Sequence, residues 1–250
     1  MIDRYGVTEA FARYVSAYDI HDPQIALKIG HTYRVAELCE RIGREAGAPD
    51  PDLAWLCGML HDIGRFEQIR RYHTFVDADS VDHARLGADL LFCEGLLEAF
   101  PAALSGPDAG ILQQSIRNHS LRFISENLTE TQKVYCHVLR DADKIDIFRV
   151  NCETPLEDIY HVTTQELRTS TVSEDVREAF RNRTTVERKL RKTAVDFVAA
   201  GLCMTFDLIY PISREIARQQ GYVDRLAAFE SDNPDTRAWF SYMREHLWEE

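Results

Sequence analysis

The sequence has no excess of positive charge: 29 Lys and Arg stand against 41 Asp and Glu, a formal net charge of −12. Sequence-independent nucleic-acid binding runs on many Lys/Arg–phosphate contacts, so generic nucleic-acid binding is excluded. Attachment to an anionic membrane surface is disfavoured for the same reason. A long hydrophobic run is also missing. The longest, Phe197 to Phe206, is closed off by Asp196 and Asp207 and is about half the roughly 20 residues that a membrane-crossing helix needs. The opening MIDRYGVTEA has no apolar h-region, so no secretory signal is expected. Cys39, Cys57, Cys93, Cys136, Cys152 and Cys203 include no C-x-x-C pair and no framework spacing. They read as small hydrophobes in a reducing compartment. These absences together predict a cytoplasmic protein with no membrane partner. Low-complexity segments and internal repeats are absent, and no stretch sustains the period-two alternation of a strand.

What is present is helical punctuation on an ordinary globular composition, 45% hydrophobic and 28% charged. Asp22-Pro23 and Asp50-Pro51 pair an N-capping carboxylate with a proline whose missing N–H does no harm in a first turn. The first of these helices is expected to stop near Gly47. Thr129-x-x-Gln132 and Thr171-x-x-Glu174 read as capping boxes, and Asn233-Pro234 as the start of the last helix. Two stretches read as longer loops, Arg65 to Asp79 and Cys152 to Thr171. The segment Arg181 to Lys192 carries six Lys/Arg against Glu187 alone, which suits a solvated face, an oligomer contact or an anionic-ligand patch. The expected fold is all-α.

Polar residues on apolar stripes are the candidates for chemistry. His31 falls on the stripe Leu27, His31, Val35, Leu38, Ile42, and so faces a core. His83 shares a stripe with Leu86, Gly87 and Leu90, and His119 follows Leu112 and Ile116. His61-Asp62 closes the apolar run LAWLCGML. Further on, either Asp141 or Asp143 faces inward, and periodicity does not choose between them. One buried histidine is an ordinary core residue. Several with inward acids are costly unless they share a metal ion, for which imidazole and carboxylate are suitable ligands.

The order His31, then HDIG at His61–Gly64, then an Asp in DADKID resembles the HD-domain superfamily of metal-dependent phosphohydrolases. The resemblance implies an HD-domain helical bundle with additional C-terminal helices. A single domain is expected over residues 1–250, with a metal-binding core at about 22–150 and an extension at about 171–250. It selects Asp143, followed by Lys144, as the last ligand. It also matches His83 in VDHARLGADLL and His119 in IRNHS to the extra ligands of the dinuclear branch, in which Asp62 bridges two metals. The chain departs from the cyclic-dinucleotide phosphodiesterases of that branch: His119-Ser120 stands in place of adjacent histidines, and the GYP motif is absent.

The implied ligands are therefore His31, His61, Asp62, His83, His119 and Asp143, holding one or two divalent ions of Mn, Fe, Zn, Co, Ni or Mg. The implied activity is hydrolysis of a phosphate ester of a nucleotide or small phosphorylated metabolite by metal-bound hydroxide, with Asp62, Arg65 and Lys144 in catalytic roles. Arg65, Arg70 and His73 are the candidate substrate contacts. Because ligating histidines must be neutral, activity is expected to fall below about pH 6. The same ligands also suit a di-iron oxygenase of this fold, or a module that senses a nucleotide without turnover. Nothing in the sequence fixes the oligomeric state, and a homodimer is allowed.

Overall fold

Asp22 accepts hydrogen bonds from the Gln24 and Ile25 amides, and the helix it caps, α2 (Pro23–Glu45), is the longest uninterrupted element before α7. It ends just ahead of Gly47, whose φ of 75° only glycine adopts without cost. Asp50 caps α3 (Pro51–Leu60) in the same manner. Every residue of α3 from Leu53 to Leu60 is buried, the mark of a helix surrounded on all sides. The computed structural model describes residues 2–249, which form helices with no strand among them beyond one isolated bridge between Ile2 and Ala102. The fold is all-α. No helix among the described residues is long and apolar enough to cross a membrane.

The chain divides into two compact units, Met1–Asp143 and Lys144–Glu250. The first holds α1 (Arg4–Val15), α2, α3, α4 (Ile63–Tyr72), α5 (His83–Phe92), α6 (Gly106–Asn118) and the start of α7 (Glu130–Glu153). Two backbone approaches set its geometry. A Cβ on Gly58 would lie 2.5 Å from Ala36 Cα, so α2 and α3 touch backbone to backbone. A Cβ on Gly64 would lie 2.3 Å from the His83 carbonyl oxygen, which seats the start of α5 directly on α4. Around them, Phe66 is fully buried and packs edge-on against Phe11 and Tyr14.

The second unit begins inside α7. It continues through α8 (Leu156–Tyr160), α9 (Thr164–Thr169), α10 (Glu174–Arg181), α11 (Ala194–Cys203), α12 (Pro211–Gln220), α13 (Tyr222–Ala227) and α14 (Pro234–His246). Its most deeply buried helix, α11, starts at a capping box between Thr193 and Asp196. The Asp196 carboxylate also accepts from the amides of Ser173 and Lys192, which accounts for a buried acid without any ligand.

Three sequence expectations need correction. Residues 65–72 are helical: burial of Phe66, Glu67 and Gln68 extends α4 to Tyr72, and the irregular stretch begins only at His73. Residues 152–171 carry the short helices α8 and α9, the latter opened by a Thr163–Glu166 capping box. Thr171 and Glu174 form no box, because Ser173 is the N-cap of α10; the Thr171 hydroxyl accepts instead from Asn233. Thr129 and Gln132 do form the reciprocal pair, and Asn233 caps α14.

Candidate metal centre

Four histidines reach one buried space from four places in the first unit. His31 lies within α2, His61 directly follows α3, His83 opens α5 and His119 directly follows α6; all four are buried. Asp62 sits in the turn between α3 and α4, and Asp143 comes from α7. The cluster therefore depends on the α2–α3 and α4–α5 approaches that the two glycines allow.

The two oxygens of Asp62 face two different sets of ligand atoms. Oδ2 lies 3.6 Å from His31 Nε2 and 3.4 Å from His61 Nε2. Those nitrogens are 3.3 Å apart and stand 3.1 and 3.9 Å from Asp143 Oδ1. Oδ1 lies 3.5 Å from His83 Nε2 and 3.8 Å from His119 Nε2, which are 3.0 Å from each other. Donor atoms sharing an ion at about 2.1 Å lie roughly 3.0–3.5 Å apart along the edges of a coordination polyhedron. Most of the observed spacings fall in or near that range.

Proton placement makes the same point. His61 Nδ1 bonds the Gly58 carbonyl at 2.6 Å, His119 Nδ1 the Ile116 carbonyl at 2.7 Å, and His83 Nδ1 the Asp77 carboxylate at 2.9 Å. These partners only accept, so each Nδ1 carries a proton, and the nitrogen left to ligate in the neutral tautomer is Nε2. Burial disfavours the charged form of His83, and with help from the Arg65 guanidinium lowers its pKa to about 4. In that tautomer His83 and His119 aim two lone pairs at each other across 3.0 Å. A cation between them removes that repulsion, and the donor set fits a divalent metal. A third group, Asp77, Asp82 and His83, also lies within metal-ligand range, but its acids already have work. Asp82 caps α5, and Asp77 holds His83 and Arg65.

The carboxylates are poised as ligands. Burial opposes ionisation of Asp62, but Lys28 and the surrounding histidines overcome it and keep the group well below the ordinary carboxylate range. Asp143 is lowered in the same sense, against burial, by His31, His61 and His119. Asp77 is lowered against burial by the hydrogen bond from His83 and by the Arg65 guanidinium.

The other candidates are distributed differently. Arg65 donates through Nη1 to Asp77, Gln68 and the Phe75 carbonyl, while its buried Nε, 3.7 Å from Asp62 Oδ1, has no hydrogen-bond partner. Lys144 lies in the second unit and pairs with Asp207 at 3.0 Å. Arg70 is exposed, pairs with Glu67 and covers the Tyr18 ring. His73 is exposed and ends α4 in a left-handed conformation, φ 55°. Asp141 is buried but is not among the groups with converging ligand atoms, whereas Asp143 converges with His31 and His61.

Sequence reasoning missed Lys28 and Asp77. Lys28 Nζ lies 2.5 Å from Asp62 Oδ2 and is the nearest cation to the cluster. Its spacing of three residues before His31 puts it on the same helical face, a signal that was there to be used. Asp77 gives no such signal, since it comes from a short 3-10 turn, Asp77–Asp79, whose position no periodicity predicts.

No curated protein and no solved structure matches the chain. Residues 29–147 match the family model described as HD domain, a segment that includes His31, His61, Asp62, His83, His119 and Asp143. HD domains bind divalent metals, and the match brings the HDIG turn and the all-α fold into one account: the chain carries an HD domain over residues 29–147.

Proposed function

We propose that the protein is a metal-dependent phosphohydrolase acting on a phosphate ester of a nucleotide or small phosphorylated metabolite. The observation that carries this reading is Asp62, whose two oxygens each face a separate pair of imidazole nitrogens. His31, His61, Asp143 and Asp62 would hold one ion, and Asp62, His83 and His119 a second. Divalent ions so held supply Lewis acidity and lower the pKa of water. The chain's own contribution is orientation and charge. The Gly58 and Ile116 carbonyls and the Asp77 carboxylate fix the ring tautomers, and burial of the histidines keeps bulk water from competing for them. Lys28 and Arg65 flank Asp62 and offer positive charge to a phosphoryl oxygen. Of the two, Lys28 is better placed to turn toward substrate, because the Arg65 Nη1 is already tied to three acceptors. In this reading about 22–150 is the metal-binding core and about 171–250 a C-terminal extension of the same domain.

The test is elemental analysis of the purified protein together with a panel of phosphomonoesters and diesters, repeated with Asp62→Ala. Near-stoichiometric transition metal and turnover that Asp62→Ala abolishes are expected. Turnover unchanged in that variant would sink the proposal, and bound iron with an oxygen-dependent spectrum but no hydrolysis would replace it with oxidative chemistry.

A further inference from the structure

A second concave site lies wholly within the second unit, with none of its lining residues in the 29–147 segment. It is a cavity of about 510 Å³ between the end of α14 and the start of α12, in the size range of small-molecule sites. Three arginines line it, Arg183, Arg214 and Arg218. Arg183 donates to the His246 and Glu249 carbonyls, Arg218 to the Trp248 carbonyl and Arg214 to the Leu208 carbonyl. Among the described residues, none of the three pairs with a carboxylate, although Glu215 and Glu249 also contribute to the lining. Glu215 instead accepts from Gln219.

This separates Arg183 from three other cations of the basic segment it belongs to. Arg181, Lys189 and Lys192 are each neutralised, by Glu174, Glu187 and Asp175. Arg183 adopts φ 54°, a left-handed conformation unusual for a residue with a branched or long side chain, and its guanidinium lies over the Phe206 ring. Arg218 lies likewise over the Trp248 ring. Planar guanidiniums held against aromatic faces and bonded to neutral carbonyls keep their full charge and have edges left to donate. Ile209, about half exposed, and Pro211 form an apolar wall beside them. Bonding the carbonyls at and just after the end of α14 accounts for Arg183 and Arg218; it does not account for Arg214, or for three cations around one cavity in a chain of net charge −12.

We infer that this cavity binds a small organic phosphate, with the phosphoryl group among Arg183, Arg214 and Arg218 and the organic part against Ile209 and Pro211. Arginine suits such a group because its fork can bond two phosphoryl oxygens at once. The inference is independent of the reaction proposed for the histidine cluster.

Phenylphosphonate is a direct probe, since it carries a ring and a dianion but no ester to hydrolyse. Calorimetric titration of the full chain at low salt, after dialysis against a chelator, should show a saturable component that Arg214→Gln and Arg218→Gln each weaken at least tenfold. Arg214→Lys, which keeps the charge and loses the fork, should fall between. Trp248 fluorescence should report the same isotherm and lose its response in Trp248→Phe. His61→Ala, in the other unit, should leave binding intact. Circular dichroism checks the fold of each variant, and Arg214→Gln is the safest because it removes a single bond to the Leu208 carbonyl. Absence of saturable binding, binding indifferent to Arg214→Gln, or binding abolished by His61→Ala would overturn the inference. Inorganic phosphate binding as tightly as phenylphosphonate would overturn the assignment to an organic ligand.

Discussion

Replacing Gly64 by alanine tests whether the seating of α5 on α4 is what builds the histidine cluster. The new Cβ would sit 2.3 Å from the His83 carbonyl oxygen, 2.6 Å from the Gly87 nitrogen and 3.0 Å from Gly87 Cα. All three are backbone atoms, so no side chain can swing aside. Ordinary non-bonded contact begins near 3.5 Å, and α5 must therefore retreat by about 1 Å. Overpacking of this kind costs about 2–3 kcal/mol, which at about 2–4 °C per kcal/mol lowers the melting temperature by roughly 5–10 °C. The chemical consequence is larger than the thermal one. His83 is the first residue of α5, and its Nε2 stands 3.0 Å from His119 Nε2 and 3.5 Å from Asp62 Oδ1. A shift of about 1 Å removes it from both, and misplacement on that scale costs about a hundredfold in rate.

Glycine substitutions elsewhere in the same unit give the controls. At Gly87 the nearest atoms to a new Cβ are 3.1 and 3.2 Å away, one of them the movable Ile63 Cγ2, so Gly87→Ala should cost less than about 1 kcal/mol. At Gly110, inside α6, the nearest atom is 4.0 Å away, and Gly110→Ala should stabilise by up to about 1 kcal/mol. Thermal melts, metal content and turnover on one phosphate ester measure all three. Gly64→Ala is expected to melt low, lose the second ion and turn over slowly, with Gly87→Ala intermediate and Gly110→Ala more stable than wild type. A Gly64→Ala protein that melts and turns over like wild type would refute the argument that this contact positions His83.

The sequence made that glycine visible as a letter of HDIG but not as a contact. Which residues face inward is a local property of helices, so the stripes through His31, His83 and His119 were legible from spacing alone. What those inward residues meet is not local. The choice between Asp141 and Asp143 needed the family resemblance first and the 3.1 Å approach to His31 afterwards, because α7 is apolar on two faces and periodicity is then silent. Residues 65–72 were misread because their charged side chains masked a helix whose buried face is only Phe66, Glu67 and Gln68. Glu67 is buried with partners, receiving bonds from Tyr18, Arg70 and Arg71, and a buried glutamate counts as polar in any pattern. Arg65 illustrates the same limit. Its cationic character was evident, but its division between Asp77 and Asp62 depends on a turn twelve residues away.

Lys28→Gln should raise KM for a phosphate ester about tenfold while leaving metal content unchanged, since Lys28 donates to Asp62 without offering a ligand atom of its own. Loss of metal in that variant would mean that the ammonium organises the site rather than the substrate. Asp77→Ala should weaken the second ion about 10–100-fold in a metal titration, because His83 then loses the acceptor that fixes its tautomer. Glu40→Gln separates stability from the metal altogether. Arg4 and Arg44 each bond the Glu40 carboxylate at 2.6 Å and hold its pKa at about 2, against an ordinary value of 4.5. A carboxylate lowered on folding adds stability that is fully present above about pH 4.5 and is lost as the pH falls toward 2. The full shift corresponds to about 3 kcal/mol, but the Glu40 side chain reaches solvent, and screening reduces it to about 1 kcal/mol. Urea unfolding of wild type and Glu40→Gln should therefore differ by about 1 kcal/mol at pH 7, and the gap should narrow below about pH 4.5 and close only as the pH falls through about 2. A gap that stays constant over this range would show that the glutamine loses packing or a neutral hydrogen bond, and that the two arginines contribute nothing through charge.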